Sequence, residues 1–269
     1  SGAAQGESGH MHTMKLYSLE GKTALVTGGG HGIGRHLSIG LAEAGANVIV
    51  VGRKPEPLDE VAAAISALDV SAWAVQSDIS KLEDIDQLVV TSQELTSGVD
   101  ILVNNAGMVW ADPTLDYPMA GWDKVFNLNV RGLFYLSQQI GRSMKERGGG
   151  SIINISSISA WRCAPDESEP VVAYNASKGA VVSLTRDMAV KLADDNIRVN
   201  GIAPGPFLTD MMNHVRHDPQ KLQQFQGAIP LKRAGGEDDI KGVVVFLASE
   251  ASAFITGQSL VVDGGWLCT

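Results

Sequence analysis

Tyr174 and Lys178 stand four residues apart in the run Tyr174-Asn175-Ala176-Ser177-Lys178, so on a helix they share a face, one turn from each other. A phenol with its usual pKa of about 10 exchanges protons poorly at neutral pH, and a nearby positive charge favours the phenolate. Such a pair has the parts of a general acid for reducing a ketone, or of a base for oxidising an alcohol. The same spacing occurs on plain surface helices, so the chemistry needs further partners. Residues 151–155 read as a strand leading into Ser156 and Ser157, and residues 100–103 as a strand leading into Asn104-Asn105-Ala106-Gly107. Hydroxyls and amides at strand ends stand where open α/β sheets bind their ligands.

A further set of residues would hold a nucleotide. The run Thr27-Gly28-Gly29-Gly30-His31-Gly32-Ile33-Gly34 follows a strand-like segment and opens a helix-like one. Glycines there allow a tight turn, a close backbone approach to a pyrophosphate and close helix-on-strand packing, and the amides at the helix start attract the anion. About 20 residues further on, a cofactor with a free ribose hydroxyl requires an acid. This chain has Gly52-Arg53-Lys54 instead. Two cations suit a 2′-phosphate, so NADP(H) is favoured over NAD(H), with His31 as an additional donor; a solvated loop is the alternative role for all three.

These residues need a frame that brings strand ends together. Strand-like runs at 23–27, 47–51, 72–76, 100–103, 151–155, 198–203 and 259–262 alternate with helical periods at 33–44, 58–68, 82–95, within 122–147, 173–193 and 238–247. That alternation predicts an α/β fold, a single-domain, Rossmann-type, doubly wound and mainly parallel seven-stranded sheet with helices on both faces. The domain is expected to cover 14–269, with a lid at about 205–236 in which 208–226 form one or two short helices. Residues 1–13, rich in Gly and Ser, read as an irregular expression-tag remnant ahead of Met14, and no secretory or transit pattern follows.

Composition narrows the functions. The 269 residues are 44 % hydrophobic and 19 % charged, enough for a large core and too apolar for a disordered chain. The longest apolar run, 243–248, is far shorter than the roughly 20 residues of a membrane helix, so no membrane partner is expected. A net charge of −9 opposes nucleic acid. Two cysteines, Cys163 and Cys268, form neither a disulfide framework nor a zinc set and fit a reducing, cytoplasmic compartment. His214 and His217, near Asp210 and Asp218, read as a solvated face, and no metal is expected.

Taken together, the glycine loop from Thr27 to Gly34, Asp78-Ile79, Asn104 to Gly107, Asn129, the serine strand, Tyr174 to Lys178, and Pro204-Gly205 with Thr209 resemble the short-chain dehydrogenases/reductases from about residue 18 to 265. The resemblance implies that Tyr174 protonates the substrate oxygen, that Ser157 orients the same carbonyl, that Lys178 holds the nicotinamide ribose and depresses the Tyr174 pKa, and that Asn129 supports a water-linked relay to Lys178. It further implies that Gly28, Ile33 and Gly34 line the pyrophosphate, with Gly30 and Gly32 also binding the cofactor, that Asp78 and Ile79 meet the adenine, that Asn105, Ala106 and Gly107 support the adenine ribose side, and that Pro204, Gly205 and Thr209 fix the nicotinamide. Ser157 lies seventeen residues before Tyr174, farther than the family pattern, because 161–170 (WRCAPDESEP) form an insertion. Ser156 and Ser159 remain alternatives to it.

For the substrate, the resemblance implies a small ketone or secondary alcohol, with a 3-oxoacyl type first and a sugar or polyol of the gluconate type second. The acids Asp166, Glu167 and Glu169 would oppose an acidic carrier protein. Trp110, Trp161, Phe207, Met211 and Met212 offer an apolar wall or plain packing. A homotetramer or homodimer is implied, pairing through the helices of 122–147 and 173–193. A nucleotide-binding sensor without catalysis is the reading from another class.

Overall fold

The computed structural model describes residues 12–208 and 218–269. Seven strands, β1 (Thr23–Thr27), β2 (Asn47–Gly52), β3 (Ala72–Gln76), β4 (Ile101–Asn104), β5 (Gly150–Ile155), β6 (Ile197–Pro204) and β7 (Ser259–Val262), form one sheet in the order β3-β2-β1-β4-β5-β6-β7. Every pairing is parallel, so the expected mainly parallel sheet is parallel throughout.

The period of two along each strand sorts side chains between two cores. Ala24, Val26, Val48, Val50, Ile153 and Ile202 meet Leu37, Leu58, Val61 and Val244 on one face. Leu25, Ile49, Val51, Leu102, Ile152 and Val199 meet Ile85, Leu88, Leu136, Ile140 and Met188 on the other. The first face is therefore covered by α1 (Gly32–Glu43), α2 (Pro55–Ser66) and a helix near the C-terminus, Glu237–Ala248. The second is covered by α3 (Leu82–Leu95), α5 (Leu133–Glu146) and α6 (Val172–Lys191), with α4 (Met119–Phe126) leading into α5. Strands buried on both faces need no polar alternation, which is why they read as nearly unbroken β-branched runs. Each fully buried Leu or Ile contributes about 1.5–3 kcal/mol relative to exposure.

The chain steps outward from β1 to β2 and β3, then returns to set β4 on the other flank of β1. This reversal opens a crevice at the carboxyl ends of β1 and β4, the place where such sheets bind ligands. The glycine loop follows β1 and the Asn104-Asn105-Ala106-Gly107 turn follows β4, so both motifs meet there.

Two departures from expectation concern helices. The helical stretch expected within 122–147 is α4 and α5 joined by a π-helical turn, Asn127–Gly132. In the expected lid, α7 (Pro219–Ala228) is capped by Asp218, whose carboxylate accepts from the amides of Gln220 and Lys221; the following helix, Glu237–Ala248, is α8. Residues 209–217 lie outside the described residues, and with them Thr209, Met211, Met212, His214 and His217. Most of the expected tag does too, although Thr13 opens a short 3-10 helix, Thr13–Tyr17.

Candidate active site

Tyr174 and Lys178 lie on the first turns of α6. Lys178 is 4 % exposed and its Nζ donates to the Ile155 carbonyl at the end of β5, 2.9 Å away. Two residues beyond that carbonyl stands Ser157, buried, its hydroxyl near enough to the Tyr174 phenol to favour the phenolate. Its Oγ also donates to Ser159 Oγ at 3.1 Å and accepts from the Ser159 amide. Of the three candidate serines, Ser157 is the one whose hydroxyl influences the phenol, and it is bonded in turn to Ser159. Ser156 Oγ is turned away onto the Ile202 carbonyl, 3.2 Å.

Burial pushes the Tyr174 phenol above its ordinary value, and the Ser157 hydrogen bond only partly opposes it. The depression expected from Lys178 is not the governing effect. The Lys178 Nζ lies 5.5 Å from the Tyr174 ring centroid, and burial has lowered its own pKa to about 8. A desolvated amine that holds its proton weakly has less charge to lend to a phenolate.

That lowering has a thermodynamic consequence. Above about pH 8 the folded amine releases its proton, while the unfolded lysine keeps it up to 10.5. The unfolded state then binds more protons, so stability rises with pH across this window, by up to about 1.4 kcal/mol per pH unit. Lys178→Met should remove the slope. Urea unfolding of the nucleotide-free protein at about pH 8 and about pH 10 checks it, because equal pH dependence in both proteins contradicts a buried, weakly protonated amine.

Asn129 sits inside the π-helical turn and is 1 % exposed. Its amide is held on three sides, accepting from Met108 N (2.9 Å) and donating to Met108 O (3.0 Å) and Ser177 Oγ (3.0 Å). A Cβ on Gly107 would lie 3.4 Å from both Asn129 Oδ1 and Lys178 Nζ, so these two groups converge on one small open space. The extra residue of a π turn is a common way of aiming a side chain at a site.

The nucleotide side is built around Thr27 and Asn105. Thr27 Oγ1 accepts from the amides of Asn105 and Ala106 at 3.0 Å, while Asn105 Nδ2 donates to Thr27 O and Gly28 O at 3.0 and 3.2 Å. Asn105 therefore ties the glycine loop to β4, a fastening role beside the ribose contact that the resemblance implies. Gly28 has φ +63° and Gly32 φ +46°, left-handed values that favour glycine. A Cβ on Gly34 would overlap the Gly28 carbonyl. Gly30 is buried, and its missing side chain faces Pro57 and Leu58 at 3.3 and 3.2 Å, so it packs the loop on α2.

Arg53, Lys54 and His31 are all exposed at the ends of β2 and the glycine loop. Burial raises the Asp78 carboxyl, but two hydrogen bonds from Ser80 and the nearby Arg53 and Lys81 charges outweigh it and leave it below the usual carboxylate range. Ile79 is buried in the second core, its carbonyl close against Gly132, and Ile33 is half-buried. Pro204 ends β6, and Gly205 donates to the Val262 carbonyl at 2.9 Å with Asp263 pressed against it.

Beneath these groups runs a polar chain absent from the sequence-based reading. Asn104 Nδ2 donates to Ser137 Oγ (2.8 Å) and Asn154 Oδ1 (2.9 Å), and Asn154 Nδ2 to Thr185 Oγ1 (2.9 Å), all fully or nearly fully buried. It pins α5 and α6 to the central strands; the signal was polar residues at strand positions that should be apolar. The expected apolar wall is mixed. Trp110 packs on Gly121 and donates to Asp112, Phe207 is buried against Gly235, and Trp161 is about half exposed. In the insertion, Asp166 is occupied by Thr114 and Glu169 by Arg162, so two of its three acids are already paired. Among the described residues no group of His, Cys, Asp and Glu is arranged for a metal, and no helix is long and apolar enough to cross a membrane.

Comparison with known proteins points the same way. A family model described as enoyl-(acyl carrier protein) reductase matches residues 28–267. The 2-dehydro-3-deoxy-D-gluconate 5-dehydrogenase of Bacillus subtilis is 40 % identical, covering 96 % of this chain and 99 % of its own. The rhamnolipid biosynthesis 3-oxoacyl-[acyl-carrier-protein] reductase of Pseudomonas aeruginosa is 37 % identical over 93 % and 98 % of the two chains. A solved gluconate 5-dehydrogenase from Burkholderia cenocepacia, in complex with NADP and tartrate, superposes with a TM-score of 0.88 at 34 % identity over 96 % and 100 %. Similarity of this extent, carried through nearly the whole of each chain, is that of common descent: the chain belongs to the short-chain dehydrogenase/reductase family.

Proposed function

We propose that this chain is an NADP(H)-dependent oxidoreductase acting on a ketone or its secondary alcohol, with a 3-oxoacyl-type substrate as the leading reading. The observation that carries it is the grouping of the Tyr174 phenol with a buried amine one helical turn away, Lys178 Nζ 5.5 Å from the ring, and with buried Ser157 two residues past the carbonyl that Lys178 holds. A carbonyl oxygen placed between the two hydroxyls accepts from both. With its pKa held up, the phenol enters a reduction protonated, the form needed to give a proton. The proton passes from the Tyr174 hydroxyl to the substrate oxygen, and Ser157 fixes that oxygen's position.

The residues present fit a dinucleotide. Lys178 is buried with one protein acceptor, the Ile155 carbonyl, which leaves ammonium donors for ribose hydroxyls beside Gly107. The glycine loop brings the start of α1 to the carboxyl end of β1, and backbone amides at such a helix start would take a pyrophosphate. Arg53, Lys54 and His31 would take a 2′-phosphate, and Pro204, Gly205 and Thr209 the nicotinamide. When bound, the nicotinamide supplies or accepts the hydride.

A gluconate-type sugar acid is the second reading, supported by the Bacillus relative and by the Burkholderia structure with NADP and tartrate. We also propose a homodimer or homotetramer, supported by large apolar side chains left exposed on the two helices expected to pair, Phe134 on α5 and Val190 on α6. A reducing, cytoplasmic setting fits the two free cysteines.

The test combines cofactor titration with a substrate panel. NADPH should bind more tightly than NADH, and Arg53→Asp should weaken NADPH about tenfold to a hundredfold while sparing NADH, the loss of a charge-assisted phosphate contact. Tighter NADH binding by the wild type overturns the cofactor assignment. Loss of reduced-nicotinamide absorbance with 3-oxoacyl thioesters supports the leading reading and with gluconate-type keto acids the second; tight NADPH binding without turnover on any of them supports a sensor.

A further inference from the structure

The carboxyl ends of β5, β6 and β7 are neighbours in the sheet, and the segments leaving them converge on one aromatic ring. Arg162 comes from the insertion after β5, Phe225 from α7 after β6, and Trp266 from the tail after β7. The Arg162 guanidinium carbon lies 5.3 Å from the Trp266 ring centroid, and the Phe225 ring lies 6.3 Å from it at 41°. Glu169 accepts from Arg162 at 3.0 Å, which steadies the cation over the ring.

The ring's own position is built, not incidental. The Asp263 carboxylate accepts from the amides of Gly265 and Leu267 at 2.8 and 2.7 Å. Gly264 and Gly265 hold left-handed backbone, φ +64° and +89°, and the Gly264 carbonyl accepts from Leu231 N at 3.1 Å, just past the end of α7. The tail is therefore fastened on both sides of the residue that carries the ring. By contrast, α7 has no buried residue of its own, and among the described residues its anchors are the Phe225 contact and the buried Ile229 just past its end.

We propose that Trp266 is a positioning residue that clamps α7 to the insertion and so sets the width of the substrate side of the cleft. The three segments stand on the flank where Ser157 follows β5, away from the glycine loop and β2 that would take the phosphates. Loosening the clamp therefore acts on the carbonyl substrate and leaves the dinucleotide's phosphate end alone. The effect on substrate rests on the proposed oxidoreductase reading; the effect on α7 does not.

Hydrogen exchange with kinetics tests it. In Trp266→Ala, amides of α7 should exchange about tenfold faster while those of α1 keep their rates, and ketone KM should rise about tenfold with kcat and NADPH affinity within about threefold. Arg162→Leu, which leaves the Phe225–Trp266 contact in place, should give about a threefold change in both readouts, and Trp266→Phe should restore most of the loss. Unchanged α7 exchange in both Trp266→Ala and Arg162→Leu overturns the proposal, as does a fall in kcat at constant KM. If Trp266→Ala does not fold, Arg162→Leu decides. If the wild type reduces no ketone, the functional reading fails alone and the exchange result still judges the clamp.

Discussion

Tyr174→Phe is expected to lower kcat for ketone reduction by about 10²–10⁴-fold, the range over which a positioned proton donor contributes. NADPH affinity should stay within about twofold, because the ring, its burial and the helix that carries it are retained. The variant removes one oxygen, and with it the proton. Ser157 is left able to orient a carbonyl that nothing protonates. Turnover measured under single-turnover conditions with saturating NADPH isolates this step. A Phe variant that still turns over at the wild-type rate would remove Tyr174 from the chemistry altogether.

The second large effect lies in the glycine loop. A Cβ at Gly34 would overlap the Gly28 carbonyl and crowd Asn105 Nδ2. Both obstacles belong to the loop-to-β4 fastening, so neither gives way without loss of hydrogen bonds. Gly34→Ala should displace the start of α1 and close the space for a pyrophosphate. We expect destabilisation of about 1–3 kcal/mol, typical of overpacking, and an NADPH affinity at least about a hundredfold weaker. Denaturant unfolding and fluorescence titration read the two separately. Retained affinity would show that α1 can slide without cost.

The strands were legible because β-branched runs between glycines and polar turns have few other uses, and 23–27, 72–76 and 259–262 carry the same limits in the sequence and in the fold. The serine strand and the turn after β4 were legible by the same logic, since strand ends at one sheet edge must come together. The π turn at Asn127–Gly132 was not. Its apolar period continues smoothly from α4 to α5, and one extra residue shifts the phase too little to show. Gly30 reads like its neighbours because a glycine's type does not say which atoms approach it. Asn105 shows the same limit for a side chain: an amide in a ligand turn serves ligand and loop equally well on paper. The raised Tyr174 value was beyond reach for another reason. Spacing gives the distance to a charge, whereas burial, which here outweighs it, depends on the whole packed site.

The central place of β1 bears on how the molecule is made. Thr23 is joined to Asp100, 77 residues later, and no flank of β1 toward β4 can close until that stretch has been synthesised. A nascent chain emerging from the ribosome thus carries β1, β2 and β3 with the backbone edge of β1 unpaired for about 1–6 seconds at about 5–20 residues per second. Ser157 and Tyr174 arrive later still. Pairing that spans so much chain is slow, and the incomplete sheet is exposed to aggregation until β4 docks.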